Sequence, residues 1–296
     1  MQNIDLRENR QHGGLLLPID CYEARNLNSP NGVRCHWHEE MELFRITRGT
    51  MRIQAGEELF EASAGDLLFF NSGELHAAEA MPGEPCEFQA VVFSPDFLCG
   101  AEGDGIRMEY VAPTVSGKLL LPRCTQPVSL DGGEIHRCFT QAFRLLREQP
   151  ELFVFPLKAS MLRLFGLLLR HAQRLPEGRG DSETVSGIKE AISYIHENFG
   201  RAITLGELAE LCSMSPGHFC RVFKQYTMKT PVQYINTVRL TRAMELLRKT
   251  DRKVLDVAID SGFNSQSYFI EVFRENVGIT PAYYRQQELR KQQESS

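Results

Sequence analysis

Three histidines and a glutamate in the first third of the chain have the types and spacing of a ligand-binding cluster. His36, His38 and Glu42 are separated by even intervals, which places them on one face of a β-strand, and His76 can lie opposite them on another strand. Three imidazoles and a carboxylate can ligate divalent iron, manganese, nickel or zinc. The same groups can instead hydrogen-bond a polar small molecule, or satisfy one another inside a sheet. The residues alone leave these three interpretations open.

The last third of the chain repeats itself. A shift of fifty residues aligns residues 215–234 with residues 265–284, and the matches include two phenylalanines, a valine, a Thr-Pro pair and a tyrosine. The matched apolar residues recur at i, i+3 and i+4, the core-facing pattern of a helix, so one helical unit is built twice. In each unit a short helix and a tight turn precede a second helix, which Ser215 or Ser265 is expected to cap. This order predicts two helix-turn-helix units.

The second helix of each unit has an outward face that fits the major groove of DNA. Arg221 can reach the O6 and N7 atoms of guanine, and Gln266 can pair with adenine. The predicted base contacts are Gly217, Cys220, Arg221, Gln266, Ser267, Ile270 and Glu271. The predicted phosphate contacts, which are basic side chains and helix N-termini, are Thr204, Lys224, Ser265 and Arg274. The alternative for each unit is a pair of helices that serves only a core.

The repeated segment resembles a known family. The run from Ala258 to Arg285 carries the resemblance, which extends over residues 188–285, and it is to the AraC/XylS transcriptional regulators. The resemblance implies a DNA-binding regulator that reads bases with the outward positions named above. It also implies double-stranded promoter DNA and RNA polymerase as partners, activation as the usual outcome, and homodimers formed through helices.

The segment around the four ligand-type residues has the pattern of an antiparallel sheet. From residue 35 to residue 80, apolar and polar residues alternate in short runs with glycines between them. The spacing His-x-His-x-x-x-Glu-x6-Gly and the later Gly-x-x-His resemble the two motifs of cupins, which implies a β-barrel. Cupin enzymes bind a metal with such groups, whereas cupin domains joined to AraC-type DNA-binding units act as effector pockets. The resemblance thus implies a small-molecule effector, such as a sugar or sugar derivative, at the cluster.

Two helices follow the predicted barrel, over residues 133–149 and 155–174. The second is apolar on nearly every side, which is more than one face of a surface helix requires. It is expected to be buried against the barrel or to pair with its copy in a dimer, and both can hold on opposite faces.

These elements predict an α+β protein, with an N-terminal cupin-like β-barrel and helical pair, then an all-α domain of two helix-turn-helix units joined by a long helix. The predicted boundaries are 1–130 for the effector-sensing barrel, 131–173 for the helical pair, 174–186 for a linker and 187–291 for the DNA-binding domain. Residues 1–182 carry 18 Lys and Arg against 25 Asp and Glu, whereas residues 183–296 carry 15 against 13. The second part, with basic residues bunched between Arg239 and Lys253, is the one suited to attract a polyanion.

Composition excludes several classes of protein. The 296 residues are 42% hydrophobic and 24% charged, which excludes disordered and collagen-like chains. No stretch approaches the roughly 18 apolar residues of a membrane span, and the first residues lack the apolar core of a signal peptide, so a cytoplasmic protein without a membrane partner is expected. Eight cysteines without a Cys-x-x-Cys pair predict reduced, mostly buried thiols.

The sequence therefore predicts a transcription regulator and not an enzyme, in which an effector in the barrel changes how the paired helix-turn-helix domain binds promoter DNA. This function requires no cofactor, although the cluster could hold a divalent metal. Two alternatives remain. One is a metal-dependent cupin enzyme, for which the paired units would have no purpose, and the other is a metal or redox sensor that uses Cys35 beside His36 and His38.

Overall fold

The computed structural model describes residues 13–14, 17–27, 32–100, 104–175 and 183–294. They fold as two compact units, one within residues 7–182 and the other within residues 183–296. The first unit combines antiparallel sheets with helices, and the second is helical throughout its described part. The predicted α+β class is therefore confirmed.

Two antiparallel sheets form the framework of the first unit. The strands are β1 (Ile19–Leu27), β2 (Gly32–His36), β3 (Met41–Arg48), β4 (Thr50–Ala55), β5 (Glu58–Ser63), β6 (Leu67–Phe70), β7 (His76–Ala80), β8 (Cys86–Phe93), β9 (Leu119–Leu120), β10 (Cys124–Thr125) and β11 (Gln173–Arg174). One sheet has the order β1-β8-β3-β6-β10, the other has the order β2-β7-β4-β5, and β9 pairs with β11. All of these pairs are antiparallel.

The five-stranded sheet is buried on both faces. Along β3, Phe44 and Ile46 point into the apolar core that the two sheets enclose, together with Met51 and Ile53 of the smaller sheet. The alternate residues Met41 and Leu43 point the other way, into a second core shared with helices. Successive residues of β3 therefore serve opposite sides of the sheet, and this alternation decides where Glu42 points.

The helices of the first unit cover the outer face of the five-stranded sheet. They are a 3₁₀ turn (Pro95–Leu98), a π-helical turn (Arg107–Val111), α1 (Ala112–Val115), α2 (Gly132–Glu148) and α3 (Val154–Leu169). α3 buries Leu157, Met161, Leu164, Phe165 and Leu168 in the core against the sheet and α2. Its strongly apolar sequence is thus explained by burial in the unit's own core. Pairing with a second copy stays a prediction.

The prediction that this helix extends to Arg174 is wrong. The helix ends at Leu169, and Gln173 and Arg174 pair with Leu120 and Leu119 as a short strand. The backbone N–H of Leu175 also donates to the carbonyl of Lys118 at 2.9 Å. Hydrogen bonds to a neighbouring strand replace those of a further helical turn.

Seven helices make up the second unit. They are α4 (Glu183–Asn198), α5 (Leu205–Leu211), α6 (Pro216–Thr227), α7 (Pro231–Lys249), α8 (Val254–Asp260), α9 (Gln266–Val277) and α10 (Pro281–Glu294), counted over the part of the chain that the structure describes. The predicted linker, residues 174–186, needs correction at both ends, because Arg174 belongs to β11 and α4 begins at Glu183. The Pro and Gly that suggested it lie in residues 176–182, outside the described residues.

The repeat detected in the sequence is a repeat of structure. Phe219 and Phe223 of α6 are fully buried with ring centroids 5.2 Å apart, and Phe269 and Phe273 of α9 are buried in the same way at 5.5 Å. A tyrosine of the following helix completes each aromatic group: Tyr234 lies 5.4 Å from Phe223, and Tyr284 lies 5.6 Å from Phe273. The sequence matches are thus the core positions of two helix-turn-helix units, α5–α6 and α8–α9.

The two turns differ, however. The first occupies residues 212–215 and the second occupies residues 261–265, which is one residue more. Each turn passes through the left-handed region once, at Ser213 (φ 52°) and at Gly262 (φ 85°). A Cβ atom on Gly262 would lie 2.2 Å from the carbonyl oxygen of Phe199, so this position also needs glycine for close packing.

Arg239 of α7 joins the two halves of the helical unit. It is 9% exposed, and its Nε and Nη2 donate to the carbonyl oxygens of Phe199 and Arg201 at 2.9 and 2.8 Å. Its guanidinium lies over the ring of Phe263 in the second turn. Counting Arg239 among the basic residues that attract DNA was therefore wrong, because its charge is buried in hydrogen bonds to backbone.

Candidate functional site

The four predicted ligand residues converge at one end of the space between the sheets. β2 ends at His36 and β7 begins at His76, and the two residues pair across the smaller sheet. Glu42 extends from β3 of the larger sheet, on the same face as Phe44 and Ile46. One ligand-type atom from each of His36, His38, Glu42 and His76 lies within 4.8 Å of those of the other three. Both sheets thus contribute to the cluster. The prediction that His36, His38 and Glu42 share one face of a single strand is wrong, because the chain turns after β2 and Glu42 enters from β3 of the other sheet.

All four side chains are buried, with exposed fractions of 8%, 2%, 5% and 2% in chain order. Each histidine ring is fixed by a hydrogen bond between Nδ1 and a backbone carbonyl: His36 to Arg34 at 2.8 Å, His38 to Glu40 at 3.0 Å and His76 to Glu74 at 2.8 Å. The ring of Phe70 stacks on His76 with centroids 4.4 Å apart. The rings are therefore held in position before any ligand arrives.

The hydrogen bonds assign the tautomers. A carbonyl oxygen only accepts, so each Nδ1 carries the hydrogen and Nε2 of a neutral ring is an acceptor. Nε2 of His38 and of His76 nevertheless lie 3.2 and 3.1 Å from Oε2 of Glu42, which is also an acceptor. Such contacts are attractive only when a proton or a metal cation lies among them.

Glu42 is held in the form that a cation requires. Burial raises the pKa of its carboxyl, but the hydrogen bonds and positive charge that His38 and His76 provide when their Nε2 atoms carry a proton together lower it by more, so the pKa lies well below the usual range. An ionised carboxylate and imidazole Nε2 atoms oriented through Nδ1 are the donor set of many divalent metal sites. The residues present therefore fit a divalent cation.

Cys35, which the redox alternative requires, is not one of the converging groups. The cluster within the described residues consists of His36, His38, Glu42 and His76 alone. Cys35 is a buried, reduced thiol.

The predicted base contacts of the first unit lie on the outer face of α6. Gly217 and Arg221 are exposed and Cys220 is half-buried, while Phe219 and Phe223 fill the core behind them. Lys224, a predicted phosphate contact, is exposed one turn beyond Arg221. The arrangement leaves one side of the helix free to enter a major groove.

In the second unit the outer face of α9 holds the corresponding residues. Gln266, Ser267, Glu271 and Arg274 are exposed. Ile270 is half-buried and packs against the core of α7 to α9, so only part of its side chain can reach a thymine methyl group. The roles of all these residues in DNA binding stay predictions.

One predicted helix cap is absent and another is present. Ser215 occupies the N-cap position of α6, but its side chain makes no capping hydrogen bond. Thr204 does cap α5, in a capping box with Glu207. The backbone N–H of Thr204 and the guanidinium of Arg201 lower the pKa of Glu207 to about 2, so a carboxylate already lies at this N-terminus. This carboxylate argues against Thr204 as a phosphate contact, because the carboxylate of Glu207 and a DNA phosphate would repel each other.

The structure at Ser265 is compatible with the predicted phosphate contact. Its Oγ accepts from the N–H of Tyr268 at 3.2 Å and no carboxylate takes part in that cap. A phosphate oxygen near the other free N–H groups of this helix end would meet favourable charge.

The same surfaces hold further polar residues that are not among the predicted contacts. His218 and Gln225 are exposed on α6, three residues before and four residues after Arg221. Tyr268 of α9 accepts a hydrogen bond from the side chain of Asn236 on α7 at 2.8 Å. The 3.6-residue period places the first two beside Arg221 and could have identified them, whereas the third contact needs the tertiary structure.

Comparison with known families agrees with this geometry. Residues 17–168 match the family described as the AraC-like ligand binding domain, and residues 208–287 match the family described as a helix-turn-helix domain. The chain belongs to the AraC family of transcriptional regulators. It is therefore a DNA-binding regulator with a ligand-binding domain, and relatives that align over most of the chain are named as transcriptional regulators.

Individual relatives extend over most or part of the chain. The helix-turn-helix transcriptional regulator YdeC of Bacillus subtilis is 28% identical over 95% of this chain and 96% of its own length. The melibiose operon regulatory protein of Escherichia coli K12 is 32% identical over 33% of this chain and 32% of its own length. The structure of ToxT from Vibrio cholerae aligns with a TM-score of 0.46 at 13% identity, over 90% of this chain and 97% of ToxT. Among the described helices of this AraC-family chain, none has both the length and the hydropathy to cross a membrane.

Proposed function

We propose that this AraC-family protein binds promoter DNA sequence-specifically by placing α6 and α9 in successive major grooves. The observation that carries the proposal is the pair of exposed polar faces on α6 and α9, with the 19-residue helix α7 between the two units. A helix of that length spans about 28 Å. Adjacent major-groove segments on one side of a duplex are about 34 Å apart, which the two units at the ends of α7 can match.

The sensory site in this proposal is the buried cluster of His36, His38, Glu42 and His76. A ligand there controls DNA binding only if it has different affinities for the DNA-competent arrangement and for the other arrangement of the protein. Activation of transcription through RNA polymerase in the cytoplasm is the outcome we propose, as the family resemblance implies.

A homodimer is part of the proposal. The turn between α2 and α3 and the first turn of α3 expose large apolar side chains: Leu152 is 68% exposed and Phe155 is 74% exposed. Such a patch beside the helical pair supports association through this pair. Two copies would place two pairs of DNA-binding units on a promoter.

The first candidate for the ligand at the cluster is a polar small-molecule effector, such as a sugar or sugar derivative. A divalent cation is the second candidate. The specific observation in its favour is that acceptor atoms of His38 and His76 face the acceptor oxygen of Glu42 at 3.1 to 3.2 Å. A cation can lie among these three atoms at their observed separation. A sugar hydroxyl that donates its hydrogen to one of them would need more space between the histidine nitrogens and the carboxylate oxygen. The metal would supply positive charge that organises the groups, and an organic effector could then bind it through oxygen.

Selection of genomic fragments by the purified full-length protein tests the proposed function. Binding at about 150 mM salt separates base reading from charge attraction, because non-specific binding weakens steeply with salt. We expect retention of one or a few promoter fragments, with enrichment that changes after the protein is stripped of metal or reloaded with Zn²⁺. Uniform retention of all fragments in every condition would contradict sequence-specific binding. The same enrichment with metal-free and with Zn²⁺-loaded protein would contradict the cation as the ligand.

Replacement of Arg221 by alanine is expected to weaken binding to the selected fragment by about 1–3 kcal/mol and to relax one position of the site, because a bidentate contact to guanine is lost. Replacement of Lys224, exposed one turn away, serves as the control for charge. Lys224→Ala should weaken binding to all sequences alike and lower the salt slope by about one. Fluorescence anisotropy with single-base variants of the fragment measures both. Unchanged affinity and base preference in Arg221→Ala would mean that α6 does not read the groove as proposed.

A further inference from the structure

A cleft lined by arginines lies on the outer face of the five-stranded sheet, where α2 crosses the sheet. Arg25 of β1, Arg45 of β3, and Arg144 and Arg147 of α2 line it, and its volume is about 360 Å³. We call it the arginine cleft. It is distinct from the cluster at Glu42, because Arg45 and Glu42 point to opposite sides of the sheet.

Arg45 forms the half-buried floor of this cleft. Its Nη1 donates to Oγ1 of Thr140 at 2.7 Å and its Nη2 donates to Oε1 of Gln89 at 2.5 Å. Its guanidinium also lies 4.7 Å from the ring centre of Phe139, so the charge is fixed against α2. Nε is buried without a hydrogen-bond partner among the described residues. Every contact that orients this guanidinium is thus neutral.

The partial burial of Arg45 has an electrostatic consequence. Desolvation lowers the pKa of its guanidinium. In a structural ion pair a neighbouring carboxylate would oppose that shift. A charge that is fixed and incompletely compensated within the described residues is a feature of anion-binding sites.

Positive charge exceeds negative charge around the cleft. Glu23 is the one carboxylate among the lining residues, and its oxygens already accept hydrogen bonds from Arg25 and Gln89. Arg144 and Arg147 have no ion pair in the part of the chain that the structure describes. Together with Thr140 they follow the i, i+4, i+7 pattern and share one face of α2. Four guanidinium groups therefore surround a space that one occupied carboxylate does not neutralise.

We infer that the arginine cleft binds a small oxyanion with two or more negative charges, of the phosphate ester or polycarboxylate class. Guanidinium groups bind the oxygens of both classes in pairs, and several arginines on different elements can hold one ion from several sides. A bound anion would join β1 and β3 to α2. It would therefore stabilise the docking of this helix on the sheet.

Isothermal titration calorimetry of the full-length protein with inorganic phosphate, and separately with citrate, tests this inference at a constant ionic strength of about 150 mM. We expect saturable binding of at least one of the two, and at least tenfold weaker binding in the double variant Arg144→Gln/Arg147→Gln. Both residues are exposed and lack ion pairs among the described residues, so the fold should be kept. Binding of phosphate alone would assign phosphate esters, and binding of citrate alone would assign polycarboxylates.

The matched control is Arg137→Gln/Arg163→Gln. It removes two positive charges from α2 and α3, but both arginines pair with Glu134 and do not line the cleft. This control should bind the anion as the parent does, and the anion should raise the unfolding temperature of the control but not of the Arg144/Arg147 variant. Absence of saturable binding to both anions, equal loss in the two double variants, or full retention in Arg144→Gln/Arg147→Gln would overturn the inference.

Discussion

Glutamine in place of Glu42 is expected to reduce the affinity for a divalent cation by at least about 100-fold while the protein keeps its fold. The carboxylate is the one negative charge among the four converging groups, and an amide oxygen is a much weaker ligand. In the metal-free variant the amide N–H₂ can donate to Nε2 of His38 or His76. Where Nε2 of both rings carries no proton, that bond would replace a contact between two acceptors, so the variant should then be no less stable than the metal-free parent.

Titration of metal-free protein with Zn²⁺ or Mn²⁺ measures this effect, and the unfolding temperature reports it independently. A cation at about 100 times its dissociation constant should stabilise the parent by about 2.7 kcal/mol and leave Glu42→Gln almost unchanged. Glu61→Gln is the control, because it removes the same charge from an exposed position of β5. Equal cation affinity in the parent and in Glu42→Gln would contradict the hypothesis that the cluster binds a metal. The organic effector would then be the remaining candidate for its ligand.

The second large effect is expected at Gly262. Alanine there should destabilise the helical unit by roughly 3 kcal/mol or more and abolish DNA binding. Its Cβ would lie 2.2 Å from the carbonyl oxygen of Phe199 and 3.0 Å from Nε of Arg239. Because backbone must move to make room, the hydrogen bond between Arg239 and Phe199 is strained as well. Both helix-turn-helix units, which α7 joins, would therefore be affected.

Gly278→Ala separates this steric effect from backbone strain. Gly278 has φ 83°, close to that of Gly262, but a Cβ there has no atom within 4 Å. It should therefore cost only the left-handed penalty of about 1 kcal/mol. Urea unfolding followed by far-UV circular dichroism reports the helices, while fluorescence of Trp37, the single tryptophan, reports the sheet unit. A similar loss in both variants, or a shift of the Trp37 transition, would contradict the role given to Gly262.

The parts of the fold that the sequence could predict depend on local spacing. The repeat of Phe219 and Phe223 as Phe269 and Phe273 is a core pattern with helical period, so both helix-turn-helix units could be placed before any coordinates. The members of the ligand cluster could be identified from their residue types and motif spacing, but their placement could not. The chain leaves β2 after His36, so Glu42 reaches the cluster from β3 of the other sheet and not along one strand.

What the sequence could not predict depends on contacts between distant segments. Arg45 and Arg144 are about a hundred residues apart, and nothing in their local patterns indicates that β3 and α2 meet there. Arg239 has the helical position of a surface cation, and only the tertiary structure reveals the buried carbonyls that it satisfies. The strand that ends the helical pair at Gln173 likewise forms because Leu119 and Leu120 lie beside it.

The difference between the outer faces of α6 and α9 has a consequence for the DNA. α6 and α9 present different side chains, and α7 joins them in a fixed order, so one chain bound through both helices has no two-fold symmetry. Its binding site must then have a polarity, with one end belonging to α6 and the other to α9. Inverting such a site would turn the bound protein to face the opposite direction along the duplex, away from the gene that it controls.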